Sequence, residues 1–159
     1  MKETNFLAIL LILILASCSR QFNPSFEYVV FNIDSLESAW KPDDLLMNYE
    51  LTDSDFFDIE EILEDTVSKR PVSEYHYLKL STLSKFKRQY VAYKSEDGKI
   101  IVWVYGICEL FEVPTEVSPG KFEMKPVNWK SMIVDPNDAD DCYWRLKISD
   151  LRNKDYHLF

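Results

Sequence analysis

The sequence has few glycines, histidines and cysteines, and each shortage excludes or disfavours some classes of function. Three glycines in 159 residues exclude the Gly-rich loops that cradle phosphates and the Gly-x-Ser-x-Gly turn of many hydrolases. The two histidines, His76 and His157, belong to no recognisable ligand or catalytic motif. The sequence therefore predicts neither an enzyme nor a cofactor nor a bound metal.

An excess of positive charge is also missing. Eighteen Lys and Arg residues face 27 Asp and Glu residues, which gives a net charge of −9. An acidic protein gains nothing from approaching phosphates, so nucleic acid is not an expected partner. Basic proteins and cations are attracted by a negative surface and are therefore the more favourable partners. The alternative is that the excess of acidic residues serves only to keep the protein soluble.

No apolar run is long enough to span a membrane. The apolar stretch from Phe6 to Ala16 has eleven residues, whereas a spanning helix needs about 20. It follows Lys2 and ends in small residues, which is the pattern of a secretory signal peptide. The four residues Leu15-Ala16-Ser17-Cys18, at the end of this stretch and just after it, resemble the lipobox of bacterial lipoproteins. The resemblance implies cleavage before Cys18, a diacylglycerol on its sulfur and an acyl chain such as palmitate on its amino group. An ordinary signal peptide with a chance cysteine is the alternative.

This interpretation divides the chain into three parts. Residues 1–17 are the signal peptide, residues 18–26 a lipidated tether, and residues 27–159 a single globular domain. The membrane would then hold the protein through Cys18.

The remaining cysteines, Cys108 and Cys142, are an even pair in an oxidising compartment. We expect a disulfide between them, with two separate buried thiols as the alternative. Such a bond requires the end of one strand to lie beside the start of another. A predicted strand, Trp129–Val134, would then run parallel to the Cys108 strand. Residues 109–126, interpreted as largely loop, would carry the chain back across the sheet, as a crossover or with a return strand of their own.

The clearest local element is a helix over about residues 53–70. Thr52 and Asp55 form a capping box, and Phe56, Ile59, Leu63 and Val67 recur at helical spacing with Ile62 and Thr66 beside them. Glu60 falls outside this stripe, so its truncation is expected to cost little.

Strands are predicted elsewhere from apolar and alternating segments. Residues 99–108 carry apolar side chains on both faces, which is typical of a central strand. Residues 142–149 alternate, with Trp144, Leu146 and Ile148 on one face and Tyr143, Arg145 and Lys147 on the other. Further strands are expected at residues 27–33 and 87–93. Residues 156–159 fit a short strand or a loose end, and residues 75–84 fit a strand or a helix.

These elements predict an α+β fold in which one amphipathic helix packs on a curved, mostly antiparallel sheet. Cystatin-like and NTF2-like folds have this outline.

A second resemblance covers residues of about 50–149. Lys87-Arg-Gln-Tyr-Val-Ala-Tyr93, Gly98-Lys-Ile-Ile-Val-Trp-Val104, a Trp-Lys pair and Asp141-Cys-Tyr-Trp144 are similar to uncharacterised small exported proteins of Bacteroidetes. Those proteins usually have two glycines where this chain has Asp140-Asp141, and the resemblance implies a fold without an activity. Surface lipoproteins of that lineage tend to carry acidic residues after the lipidated cysteine. Residues 19–23 contain no acidic residue, so we expect the protein to lie on the periplasmic face of the outer membrane.

Two groups of residues are candidates for binding. The polar turn contains five oxygen-bearing side chains that could hold a hard cation or contact a partner, with a solvated turn as the alternative: Asp135, Asn137, Asp138, Asp140 and Asp141. Five aromatic residues concentrate on the sheet, where they line a ligand concavity or fill the core: Trp103, Tyr105, Trp129, Tyr143 and Trp144.

Three functional hypotheses follow. The first is a lipid-anchored, non-catalytic envelope module that binds a protein or a small molecule. The second is a periplasmic inhibitor or immunity protein against a basic enzyme or toxin, which an acidic surface would attract. The third is an enzyme whose site is assembled from scattered carboxylates.

Overall fold

The computed structural model describes residues 21–38, 41–69, 78–135 and 142–158. Cys18, Arg70 and His76 lie outside the described residues, as do Asn137, Asp138, Asp140 and Asp141. Within these ranges, one α-helix, α1 (Asp53–Ser68), and two 3-10 turns, Ile33–Ser35 and Leu80–Lys85, accompany eight strands. The strands are β1 (Tyr28–Phe31), β2 (Leu45–Asn48), β3 (Lys87–Ser95), β4 (Ile100–Ile107), β5 (Glu112–Ser118), β6 (Lys121–Pro126), β7 (Tyr143–Asp150) and β8 (Asp155–Leu158).

Six strands form one open sheet in the order β1-β3-β4-β7-β8, with β2 also paired to β3. Only the β1–β3 pair is parallel, and the other pairs of this sheet are antiparallel. Helix α1 packs across one face. The predicted α+β class, with one helix on a mostly antiparallel sheet, is confirmed.

The helix begins as its capping box predicts. The Asp55 amide donates to the Thr52 hydroxyl, and the Asp55 carboxylate accepts from the Thr52 amide at 2.9 Å. Ile59 and Leu63 are fully buried, and the other residues of the predicted stripe expose at most 7% of their surfaces. Since they lie against the apolar face of the sheet, this stripe forms the main core.

Strand β4 is central, because it lies between β3 and β7. Its Val102 and Val104 join the helix-side core, whereas Ile101 and Tyr105 join a second cluster on the opposite face. Both faces are therefore covered, as its continuous apolar sequence predicts. The alternation predicted for β7 is confirmed as well, because its even-numbered residues are buried and its odd-numbered residues are half-buried.

The prediction of a strand at Trp129–Val134 is wrong. This segment covers the second face of the sheet as an irregular chain, and the buried side chain of Gln89 supplies three of its hydrogen bonds. The Gln89 amide nitrogen donates to the carbonyls of Trp129 and Met132, and its oxygen accepts from the Val134 amide at 2.8 Å. One side chain thus satisfies buried backbone groups that a neighbouring strand would otherwise satisfy.

The prediction of a loop over residues 109–126 is also wrong, because β5 and β6 form a separate two-stranded sheet. Prolines at 114 and 126 are tolerated since each strand of an isolated hairpin has one unpaired edge. Gly120, at φ +74°, makes the turn. The chain leaves and re-enters at the same end, where the Val127 amide donates to the Phe111 carbonyl.

The Cys108–Cys142 disulfide is present, with Cα atoms 5.0 Å apart. Strands β4 and β7 are antiparallel neighbours, and Ile107 pairs with Tyr143 beside the bond. The two cysteines therefore meet as predicted. The crossover inferred from them is wrong, because the segment that required it is not a strand.

The globular domain begins before residue 27. Phe22, inside the predicted tether, is buried and stacks on Phe56 of α1 with ring centroids 4.7 Å apart. Phe26 lies over the guanidinium of Arg88 at 3.7 Å. The chain is thus fixed to the domain from Phe22 onward. Within the described ranges, no helix combines the length and apolarity needed to cross a bilayer.

Candidate binding cleft

A cleft of about 260 Å³ lies on the face of the sheet opposite α1. Strands β3, β4 and β7 form its floor, and residues around the first 3-10 turn and the segment before Asp135 form its walls. The lining residues are Ile33, Leu36, Lys41, Pro42, Val91, Trp103, Tyr105, Ile133, Asp135 and Arg145.

Two aromatic rings make the floor of this cleft. Trp103 and Tyr105 alternate along β4, so both side chains point away from the helix. Their ring centroids are 6.3 Å apart and their planes are nearly parallel, at 19°. The ammonium of Lys147, the pairing partner of Trp103 on β7, lies 5.2 Å from the Trp103 ring centroid, within cation–π range.

Polar groups stand beside the aromatic floor. Arg145 pairs with Asp135 at 2.8 Å, and Asp135 exposes only a fifth of its side chain. Burial, and then the negative charge of Asp135, raise the pKa of Tyr105, so its hydroxyl stays neutral. On the opposite wall, the Lys41 ammonium donates to the Asp34 carbonyl at 3.0 Å.

This arrangement offers a flat apolar surface with cationic and hydroxyl groups at its border. A ring-bearing ligand could stack on Trp103, while its acceptor oxygens receive hydrogen bonds from Arg145 or Tyr105. The cleft is close to the lower size limit of small-molecule sites. It therefore fits a ligand of about the size of one sugar ring.

The residues expected to bind are only partly brought together. Asp135 lies in the cleft, but as the partner of Arg145, and the other four residues of the polar turn lie outside the described part. Among the described residues, no three His, Cys, Asp or Glu side chains are grouped to hold a metal. His157 lies in β8, opposite Lys147.

The five aromatic residues divide between cleft and core. Trp103 and Tyr105 line the cleft, whereas Trp144 joins the helix-side core against Phe86. Trp129 and Tyr143 belong to a third cluster around Ile107. The alternation of β7 predicted Arg145 and Lys147 on the face opposite Trp144, Leu146 and Ile148, and the structure places them there, on the side of the cleft. Lys41 and Pro42 carry no signal in the sequence, since tertiary packing alone brings them to the cleft.

A charged cluster lies on the other face of the sheet. The Arg88 guanidinium, 1% exposed, pairs with Glu60 of α1 and donates to the Leu83 carbonyl at 3.1 Å. The Tyr90 hydroxyl donates to the same Glu60 at 3.1 Å. Burial raises the pKa of Tyr90, with a further contribution from the Glu60 charge. The cluster joins helix to sheet.

In comparisons with known proteins, no protein-family model, no curated protein and no solved structure matches the chain.

Proposed function

We propose that this chain is a lipid-anchored protein of the bacterial cell envelope that binds a small, ring-bearing ligand without transforming it. The observation that carries the binding role is the cleft, with stacked Trp103 and Tyr105 as its floor and Arg145 and Lys147 at its border. The lipobox-like sequence before Cys18 supports the anchor.

The charged side chains at the border of the cleft limit the chemical class of the ligand. Among the described residues in and beside the cleft, the cations Arg145, Lys147 and Lys41 accompany the carboxylate of Asp135. A ligand that carries a carboxylate on a ring would pair with one of these cations and stack at the same time. Such a ligand should bind more tightly than the neutral ring of the same size.

Ligand-observed saturation-transfer NMR tests the cleft with two probes, N-acetylglucosamine and N-acetylmuramic acid, which differ by a carboxylate-bearing lactyl group. We expect transfer to both rings and tighter binding of the carboxylate sugar. Trp103→Ala should abolish transfer, whereas Leu46→Ala, at an exposed position of β2, should preserve it. Absence of transfer to either sugar, or transfer that survives Trp103→Ala, would refute this assignment.

Metabolic labelling with palmitate tests the anchor. The chain should take up label, and Cys18→Ala should take up none and remain unprocessed. A Cys18→Ala protein that is processed yet still sediments with membranes would contradict lipid anchoring.

We propose that the anchored domain lies on the periplasmic face of the outer membrane. Digestion by protease added to intact cells would place the domain on the outside instead.

A further inference from the structure

The β5–β6 hairpin is the most exposed ordered element of the described chain. All residues of β6 are exposed, and β5 is exposed or half-buried throughout. Phe122 and Met124 expose 61% and 56% of their surfaces. Large apolar side chains held out on an ordered strand mark an interaction surface.

The register places the apolar residues on one face of the hairpin. Directly opposed residues of antiparallel strands share a face, and the pairs Pro114–Met124 and Glu116–Phe122 stand next to one another. The other face carries the pair Val113–Lys125, and Lys121 follows at the turn. Glu123 lies on this second face and pairs with Lys121 at 3.3 Å and Lys125 at 3.9 Å. The face with Phe122 and Met124, here called the apolar face, also carries Glu112 and Glu116.

The hairpin starts at the end of the sheet where the N-terminal segment enters. Glu27 pairs with Lys87, Lys87 is opposite Ile107, and Cys108 follows at the base of the hairpin. Since β1 and β4 are both neighbours of β3, the two chain segments are about 10 Å apart.

The position of Phe22 limits how far this end can stand from a lipid on Cys18. Phe22 is fixed in the core, and the four-residue step back to Cys18 spans at most about 14 Å. A membrane that holds Cys18 therefore lies within reach of this end of the sheet.

We propose that this end of the domain rests on the bilayer that holds Cys18, with Phe122 and Met124 in the membrane interface. The inference rests on the lipid anchor proposed above. Lys121 and Lys125 pair with Glu123 only at the exposed surface, where such pairs are weak, so their ammonium groups can exchange this carboxylate for lipid phosphates. Glu112 and Glu116 lie on the apolar face, so a zwitterionic surface fits better than an anionic one.

The short tether makes a weak contact sufficient. Two apolar side chains would not hold a soluble protein on a membrane. When the domain is already attached nearby, the hairpin meets the surface at a high effective concentration. The contact would then orient the domain on the bilayer.

The chain carries its own probe and control. Met124 lies in the hairpin, whereas Met47 is paired with Lys94 near the far end of β3 and is 54% exposed. Residues 18–159 with the disulfide formed leave Cys18 as the single thiol for coupling to a maleimide lipid in phosphatidylcholine vesicles. Hydrogen peroxide then oxidises each methionine at a rate that depends on its access to water, which peptide mass spectrometry reports.

If the hairpin is engaged about 80% of the time, tethering should slow Met124 oxidation about fivefold and leave Met47 unchanged. Phe122→Ser should restore the Met124 rate on vesicles, whereas the control Leu46→Ser at the far end should not. Both substitutions are at exposed positions, so the fold should persist.

Equal Met124 rates in tethered and soluble protein would overturn the inference, and so would equal protection of Met47 and Met124. Protection of Met124 that appears only after soluble envelope proteins are added would overturn it in favour of a protein partner. Chemical coupling bypasses cellular lipidation. Failure of palmitate labelling would therefore refute the anchor alone, and unprotected Met124 would refute the contact alone.

Discussion

Removal of Glu60 should destabilise this protein, although its place outside the apolar stripe predicts a harmless change. Glu60 is the ion-pair partner of Arg88, whose side chain is 1% exposed, while Glu60 itself is 19% exposed. Glu60→Ala leaves that guanidinium buried beside the Phe26 ring, with a hydrogen bond to the Leu83 carbonyl but no carboxylate partner. It also removes the acceptor of the Tyr90 hydroxyl.

The magnitude follows from the burial of the two partners. Breaking a buried ion pair by deleting one partner costs about 3–5 kcal/mol. Because Glu60 is partly exposed, water can reach the guanidinium from that side when the carboxylate is removed. We therefore expect a smaller loss, of about 2–4 kcal/mol in the free energy of unfolding. Glu61→Ala is the matched control on the next position of α1. Glu61 is 70% exposed and pairs with Lys154 at the surface, so its loss should cost less than about 1 kcal/mol.

Urea unfolding followed by circular dichroism measures both losses, and a double-mutant cycle identifies the cause. In an Arg88→Met background there is no buried cation that Glu60→Ala could leave unpaired. The substitution should then lower the free energy of unfolding by about 1 kcal/mol or less. An equal cost of Glu60→Ala with and without Arg88 would refute the pairing argument. Equal costs of Glu60→Ala and Glu61→Ala would do the same.

Three further predictions concern the sheet, the disulfide and a surface carboxylate. A Cβ at Gly106 would lie 1.9 Å from the Trp144 ring. Gly106→Ala should therefore cost about 3 kcal/mol in a urea melt, and the added substitution Trp144→Leu should return part of that loss. Thiol titration of the denatured, non-reduced chain should find neither Cys108 nor Cys142 reactive, and their joint replacement by alanine should cost about 4 kcal/mol in the chain-entropy account. Hydrogen bonds from Lys99, and then from Ser95, lower the pKa of Asp97 to about 2. The stabilisation is therefore present above the unfolded pKa near 4 and is lost as the pH falls towards 2. Carbon-detected NMR titration should place the Asp97 midpoint near 2, and Lys99→Met should raise it; an unchanged midpoint would exclude Lys99 as the cause.

The elements that the sequence predicts are those whose signals are local. The helix at residues 53–68 is bounded by its own capping box and carries its own apolar stripe, and β7 alternates because one face is buried. Trp129–Val134 has the composition of a strand, but three of its backbone groups bond to Gln89, 40 or more positions away. Composition cannot report such a distant hydrogen-bond partner.

The candidate site follows the same division. Arg145 lies on β7, whose alternation is readable, so its face could be predicted. Trp103 lies on β4, whose apolar residues occupy both faces, so the sequence does not assign its face. The cleft itself depends on residues near Pro42 and Ile133 that no periodic pattern connects to β4. Glu60 shows the limit for energetics, because helical periodicity places a side chain on a face but does not reveal the buried cation above it.

The ring closed by Cys108 and Cys142 changes what a proteolytic cut would do to this molecule. The exposed hairpin turn at Pro119–Gly120 lies inside the ring, since the bonded cysteines are separated by 34 positions. A protease that cleaves there opens one peptide bond, yet the two fragments stay covalently joined and remain paired through β4 and β7. The domain could thus lose the continuity of its most exposed strand pair and still keep its sheet and its cleft in place.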